Sequence, residues 1–401
     1  MNVPFFRPEL TDEEIEAVSE TLRSGWLTTG PQTAAFETEF AEAVGARHAV
    51  ALNSCTAALH LGTVALGLGR DEGVLVPTMT FAATAEVVRY AGAHPILVDC
   101  DPVTLNMDLE DAGRKLEAAR RGELPGLPGP TNVVGVTPVH VGGLMMNVAS
   151  VQEFADAHGL WIVEDCAHAF PAAWRESDGE PWQRAGEGTA AVSCYSFYAN
   201  KTMTTGEGGM ATTDDDDLAA EMRSLSLHGL STDAWGRYSA KGSWDYRILA
   251  PGYKYNLTDI ASSLGRLQLA RAQELRARRR DIAEQFLERL EHPAIELPLH
   301  PDDRQHAWHL FQVKLHLDRL DGDRQTVLDG LRSEGVGFSV HWRPLHLHTY
   351  YEELGWTAES CPVATEVWAR TISLPIFPAQ RPEEVDRVIE VLLRQVDAIR
   401  P

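Results

Sequence analysis

The chain has 401 residues, 44% of them hydrophobic, which is ample for a buried core and suggests one large domain with a smaller one beside it. Asp and Glu number 58 against 35 Lys and Arg, a formal charge of −23, and this argues against a protein that tracks a nucleic-acid backbone, because such binding needs a basic surface. The cysteines Cys55, Cys100, Cys166, Cys194 and Cys361 form no C-x-x-C pair and argue against a disulfide framework or a structural zinc site; the first ten residues lack the apolar segment of a secretory leader and no apolar run reaches membrane-spanning length, so a cytoplasmic protein is expected.

Along the chain, residues 48–53 read as a strand and 56–68 as a helix. A strand over 73–77, a helix over 81–90 and a strand over 94–99 follow. The next strand is expected over 132–141 and the next helix over 148–158, with further strands over 160–165, 190–197 and 209–213. Apolar runs such as Ile96-Leu97-Val98 and Trp161-Ile162-Val163 suit strands covered on both faces. The alternation predicts an α/β fold with a mostly parallel central sheet flanked by helices. The Pro/Gly-rich stretch 124–130 reads as a surface loop, the acidic run 214–217 as a solvated helix start, and 231–243 as an irregular insertion. A long helical region spans 258–290, and its arginine cluster from Arg276 to Arg280 reads as a solvated face. From about His309 the pattern thins to elements over 310–317, 324–334, 337–342 and 383–396. The expected division is a large domain over 1–270, with an N-terminal arm, and a smaller C-terminal α/β domain over 271–401.

Four segments carry groups with chemical potential. Lys201 lies between the strand ending at Phe197 and the turn Gly206-Glu207-Gly208-Gly209. Its amine can form a Schiff base with a carbonyl once its surroundings lower its pKa, and Ser196 can donate to a phosphate; an ordinary exposed lysine before a Gly turn is the alternative. Asp165 directly follows Trp161-Ile162-Val163-Glu164, at the carboxyl end of a buried strand, where open α/β sheets bind ligands. It can pair with a pyridinium nitrogen or simply cap a turn, and His168 beyond it can touch a ligand or fill the core. Asn53, Ser54, Cys55 and Thr56 join a strand to a helix, whose N-terminus either offers N–H groups to a phosphate or is plainly capped. Phe81 stands at another strand-to-helix turn, where it can stack on a planar ring or pack in the core. Together they supply a phosphate cradle, a stacking aromatic, a carboxylate for a ring nitrogen and an amine for an aldehyde. Pyridoxal 5′-phosphate (PLP) needs that set.

The order and wording of these segments resemble the sugar aminotransferases of the DegT/DnrJ/EryC1/StrS family, PLP enzymes of fold type I. Ser24-Gly25-Trp26-Leu27-Thr28-Thr29-Gly30-Pro31 is similar to the family's N-terminal signature, and Pro251-Gly252-Tyr253-Lys254-Tyr255-Asn256 to the segment that reaches a neighbouring subunit. Pro344-Leu345-His346 and Ser373-Leu374-Pro375 resemble its C-terminal landmarks. The resemblance implies that Lys201 carries the cofactor and moves protons, and that Asp165 pairs with the pyridine nitrogen. His168 would stand near the ring hydroxyl and Phe81 would stack on the ring. Thr56 and Ser196 would hold the phosphate with the backbone of Cys55. Asn256 would reach the phosphate of the other subunit, implying a homodimer with shared active sites. Thr29, His346 and Tyr350 are the candidates on the substrate side, and Trp26, Trp342 and Arg343 candidate linings of a sugar pocket. The implied reaction moves an amino group from an amino acid, L-glutamate, to a keto-sugar, a nucleotide-linked 4-keto-6-deoxy sugar. No metal, nucleic acid or membrane enters this reading.

The chain departs from the family pattern in three places: Cys55 stands where a Gly is usual, Phe170-Pro171-Ala172 replaces a smaller Gly-Ala, and the segment 174–187 is longer. The alternatives within the family are a sugar dehydratase, whose members replace the lysine with histidine, a PLP-binding regulatory protein, and an aminotransferase of a non-nucleotide cyclic ketone. Lys201 counts against the first and intact Lys201 and Asp165 against the second. A nicotinamide oxidoreductase is dismissed because Gly67-Leu68-Gly69 completes no G-x-G-x-x-G fingerprint. A metal hydrolase fares no better, since the pairs His306/His309 and His346/His348 sit in no zinc-protease motif and read as core or solvated side chains.

Overall fold

A computed structural model describes residues 1–188, 190–231 and 247–400. The chain opens with α1 (Asp12–Ser24) and α2 (Pro31–Val44), then β1 (His48–Leu52), α3 (Cys55–Ala65), β2 (Gly73–Pro77), α4 (Ala82–Tyr90) and β3 (His94–Val98). It continues through α5 (Leu109–Arg121), β4 (Val133–Val136), α6 (Val148–His158), β5 (Trp161–Asp165), and the short β6 (Ala173–Trp174) and β7 (Gln183–Arg184). Next come β8 (Val192–Ser196), β9 (Gly209–Thr213), α7 (Asp216–Ser226), α8 (Asp259–Ala270) and α9 (Ala272–Arg289). The last stretch holds β10 (Ile295–Glu296), β11 (Arg304–Gln305), β12 (Phe311–Leu315), α10 (Arg324–Ser333), α11 (Thr349–Glu353), α12 (Pro362–Arg370), β13 (Thr371–Leu374) and α13 (Pro382–Asp397).

The central sheet has seven strands in the order β1-β9-β8-β5-β4-β2-β3. The pairs β2–β3, β2–β4, β4–β5 and β5–β8 are parallel, and β9 runs antiparallel to both β8 and β1. The sheet is therefore mostly parallel, as the sequence predicts. Its strands read as nearly unbroken apolar runs because helices cover both faces, and β2 and β9 are buried at every position. Because β9 alone is reversed, β1, β2, β5 and β8 all end at the same edge of the sheet. A second antiparallel sheet, β10-β12-β13, packs with α9, α10 and α13 around its own core, which includes Phe286, Phe311, Leu331 and Leu392, all shielded from solvent. The long segment 174–187 contains the β6–β7 hairpin, which pairs with β11.

Helix ends follow their sequence signals. Asp108 caps α5 by accepting from the N–H groups of Glu110 and Asp111, and Gly122 closes it in the left-handed conformation at φ 71°. Asp215 caps α7, so the acidic run is a helix start, as expected. The helical region over 258–290 is two helices, α8 and α9, meeting at Arg271. Two expectations are corrected. Residues 337–342 form no regular strand: Ser339 makes one bridge to Ser373 and the rest runs irregularly along the cavity described below. Nor is the whole 276–280 arginine cluster a solvated face, because Arg279 is 1% exposed and turned into the junction of the two sheets. The predicted insertion at 231–243 lies outside the described residues apart from Ser231. Among the described residues no helix is long and apolar enough to cross a membrane.

Candidate active site

The shared edge where β1, β2, β5 and β8 end borders a cavity of about 580 Å³. Cys55, Thr56, Phe81, Asp165, His168, Ser196 and Lys201 all line it, from segments far apart in the chain. Asp165 is the last residue of β5, with one carboxylate oxygen accepting from Ala167 N–H at 3.0 Å and the other from the Thr84 hydroxyl at 2.9 Å. Thr84, in the first turn of α4, is in turn bonded to Thr80. Burial pushes the Asp165 carboxyl above its ordinary value, while the two hydrogen bonds and the nearby Lys201 favour its ionised form.

Lys201 follows the turn after β8. Burial pushes its amine down to about 8, with Cys55 and Asp165 acting the other way and Arg279 adding to the depression. Ser196 ends β8 and pairs in register with Gly209 on β9. A Cβ at Gly209 would lie 2.4 Å from Ser54 C and 2.5 Å from Cys55 N, so only glycine lets β9 pass so close to the start of α3. Ser54 caps α3 by accepting from Ala57 N–H at 3.1 Å. Cys55 is the first helical residue and its φ is not positive, so it needs none of the freedom of the glycine usual there. Burial raises its thiol well above the ordinary value, and it remains protonated.

His168 accepts from Gly142 N–H through Nδ1 at 3.3 Å, which leaves the proton on Nε2. Burial, then the charge of Lys201, lowers its pKa well below the usual value and keeps the ring neutral. Among the cavity residues not picked out as site residues in the sequence are Thr84, His309 and His341. His309 has its ring 4.1 Å from that of His168, and its Nδ1 is buried without a protein partner. His341 bonds Ser373 at 2.9 Å, and burial lowers it to about 4. Trp342 stacks on His168 with ring centroids 5.0 Å apart, and it does line the cavity. Phe81, 63% exposed, presents its ring at the rim.

The remaining candidates lie outside this lining. Asn256 donates to the Thr29 hydroxyl at 2.7 Å, Lys254 donates to Asn256, and the segment is anchored by Asn53 N–H donating to Tyr255 O at 2.7 Å. His346 is fully buried, with its ring nitrogens bonded to Thr78 at 2.7 Å and Thr365 at 2.8 Å, so it offers no free donor to a ligand. Tyr350 accepts from Arg89 at 3.0 Å on the surface. Arg343 donates to Leu347 O, and Trp26 donates to Thr29 O. Of the two histidine pairs, His306, His309 and His346 are buried.

A separate cluster, His140, Glu164 and Cys166, is buried beside β5. Strand alternation turns Glu164 away from Asp165 and its cavity. His140 Nδ1 accepts from Met146 N–H at 3.1 Å and Nε2 bonds Glu164 at 2.8 Å, while Ser193 donates to the other carboxylate oxygen. The groups satisfy one another as a hydrogen-bonded network.

The cavity suits PLP on its own geometry. The free N–H groups of α3 and the Ser196 hydroxyl can receive a phosphate, Asp165 can accept from a pyridinium N–H, His168 Nε2 can donate to a ring oxygen, and the Lys201 amine can meet an aldehyde. Compared with known proteins, residues 8–393 match the model of the DegT/DnrJ/EryC1/StrS aminotransferase family. The chain belongs to that family and is a PLP-dependent aminotransferase. It is 40% identical to the spore coat polysaccharide biosynthesis protein SpsC of Bacillus subtilis (strain 168), over 97% of this chain and 96% of that one. The PLP form of the putative sugar aminotransferase Spr1654 from Streptococcus pneumoniae superimposes with a TM-score of 0.87 at 30% identity, covering 99% of each chain. Helicobacter pylori PseC, an aminotransferase involved in the biosynthesis of pseudoaminic acid, superimposes with a TM-score of 0.86 at 25% identity, covering 100% of each.

Proposed function

We propose that this aminotransferase moves an amino group from L-glutamate to the carbonyl of a nucleotide-linked 4-keto-6-deoxy sugar. The observation that carries the reading is the convergence of Lys201 and Asp165 on one cavity at the strand ends, in a chain whose relatives are named as sugar aminotransferases. PLP, when bound, supplies an electron sink for the carbanion formed at the donor's α-carbon. Lys201 Nζ is the base that takes the proton from that carbon and returns it on the far side of the exchange, a role suited to an amine held at about 8. Asp165 stays ionised to hold a proton on the ring nitrogen, with Thr84 and Ala167 fixing its carboxylate. Neutral His168 donates from Nε2 to the ring oxygen. Thr56, Ser196 and the Cys55 N–H hold the phosphate, and Phe81 covers one face of the ring. Trp342, His309 and His341 wall the cavity and exclude water from the reacting carbon.

Asn256 is assigned to the phosphate of a second subunit, which makes the active unit a homodimer with shared sites. It supports this reading that Asn256 lies outside its own chain's cavity, and that Ile248 (71% exposed), Leu249 (61% exposed) and Phe81 leave apolar surface uncovered. Thr29 and Tyr350 are placed on the substrate side of that assembly, and Thr29 already fixes Asn256. His346 keeps its substrate-side assignment only indirectly, through the Thr78 segment that leads to Phe81. The large domain is taken as 1–270 and the smaller as 271–401, and the cytoplasm as the compartment, in keeping with five free cysteines. The test is amination of a panel of nucleotide keto-sugars with glutamate as donor, read by product mass. An aminated sugar that forms with wild type and not with Lys201→Ala is the expected result. Consumption of glutamate with no sugar in the panel aminated would refute the substrate.

A further inference from the structure

Arg279 projects from α9 and is 1% exposed. Taking a guanidinium out of water is costly unless the ion is paired or fully hydrogen-bonded. Among the described residues no carboxylate pairs with it; its partners are backbone carbonyls. Nη1 donates to Ile376 O at 2.8 Å, Trp308 O at 3.2 Å and His309 O at 3.3 Å, and Nη2 donates to Asn200 O at 3.3 Å. Carbonyl dipoles stabilise the ion without cancelling its charge, so a net positive charge stays beside the peptide that leads into Lys201. The same fork joins three segments that the sequence leaves far apart. One is the Asn200–Lys201 peptide. Another is the turn at Trp308, a bulky residue held at φ 50°, which delivers His309 to the cavity. The third follows β13. A lysine has neither the planar fork nor the reach to bond all three at once.

We infer that Arg279 is a positioning residue for Lys201: its guanidinium pins the peptide before Lys201 to the smaller sheet's core and sets an uncancelled positive charge behind the amine, so that Lys201 is released as a neutral base. The inference rests on Lys201 being the cofactor lysine. The groups bearing on that amine are Cys55 from α3, Asp165 from β5, His168 after it, Arg279 from α9, and His309 and His341 from the segments around β12 and β13. Burial keeps the three histidines neutral and the Cys55 thiol protonated. The formal charges that remain are the buried Asp165 and Arg279, with opposite signs, and the solvent-exposed Glu207, which lines the same cavity. Once the Asp165 charge is matched by a pyridinium, Arg279 is the buried protein charge left beside Lys201.

The experiment is a pH titration of the visible absorption band of the PLP-loaded protein, for wild type, Arg279→Met and Arg279→Lys, with folding checked by thermal melting. Loss of the charge in Arg279→Met is expected to raise the titration midpoint by about one pH unit, and Arg279→Lys, which keeps a charge, is expected to restore much of it. A folded Arg279→Met whose midpoint matches wild type would overturn the inference. Competitive amine labelling of wild-type apoprotein, resolved by peptide, covers the case in which the Met variant does not fold. There, Lys201 is expected to gain reactivity around pH 8, and a gain only near the ordinary lysine value of 10.5 would also overturn it. A protein that forms no visible band with PLP in any version would instead contradict the reading on which the inference rests.

Discussion

In the proposed function Lys201 and Asp165 divide the work at the site between a base and a charge anchor, and each predicts a different loss. Lys201→Ala removes the only amine among the described cavity residues, and turnover is expected to vanish while the fold persists, checked by glutamate-dependent formation of 2-oxoglutarate. Asp165→Asn keeps the shape but removes the charge and turns one of the two acceptor oxygens into a donor, and a fall in kcat of roughly 100-fold or more is expected with the cofactor retained. Thr84→Val removes one donor to the Asp165 carboxylate at nearly constant shape. A hydrogen bond to a charged group contributes about 1.5 kcal/mol, so a tenfold loss is expected, intermediate between wild type and Asp165→Asn. Lys201, Asp165, Ser196 and Thr56 were singled out in the sequence because they lie on or just beyond strand ends and helix starts; each segment alone had an ordinary structural alternative, and their combination with the family resemblance pointed to one site. Thr84 and His341 were not, because nothing local sets them apart; the fold brings them there. His309 was noticed only as half of a histidine pair. Arg279 was misread outright, since its three neighbouring arginines outweigh one buried helix position when a sequence is read without its packing.

Gly209 shows how an element's register can decide a site. Alanine there would drive its Cβ into the Ser54–Cys55 backbone, and backbone cannot rotate aside as a side chain can. Gly209→Ala is expected to cost about 1–3 kcal/mol of stability and to weaken PLP binding by lifting the start of α3, measured by melting and by cofactor titration. Strand positions were largely visible in the sequence because both faces of a parallel sheet demand apolar runs. Helix α5 carries equally clear signals, Asp108 and Gly122 at its ends and Leu109, Ala112, Leu116 and Ala119 on one face, though the alternation reading passed over it. The segment 337–342 misled because Phe338, Val340 and Trp342 alternate like a strand. Instead Phe338 packs against the core of the smaller sheet, while Ser339, Val340, His341 and Trp342 line the cavity in succession.

Across the whole molecule, buried neutral histidines tie stability to pH. His341 and His346 both titrate near 4 when folded, chiefly through burial, against an ordinary value of 6.5. The unfolded chain therefore binds protons that the folded one does not, and stability falls as pH drops from about 6.5 towards 4, by up to roughly 3 kcal/mol for each group. Melting temperature is expected to fall over that window, and less steeply in His346→Asn; parallel curves would show that His346 carries no such linkage. The proposed shared-site dimer makes a separate prediction. Mixing Lys201→Ala with Asn256→Ala protomers under exchange creates hybrids in which one site keeps both residues, so activity above either parent is expected, and none is expected if each chain completes its own site.

The absorption spectrum of the purified protein with PLP, taken before and after addition of glutamate, tests the central claim most directly. A yellow band that forms in wild type, is absent in Lys201→Ala, and bleaches to the pyridoxamine form with glutamate is the predicted result. No visible band in wild type, or an unchanged band in Lys201→Ala, would contradict the assignment of Lys201 as the residue that holds the cofactor.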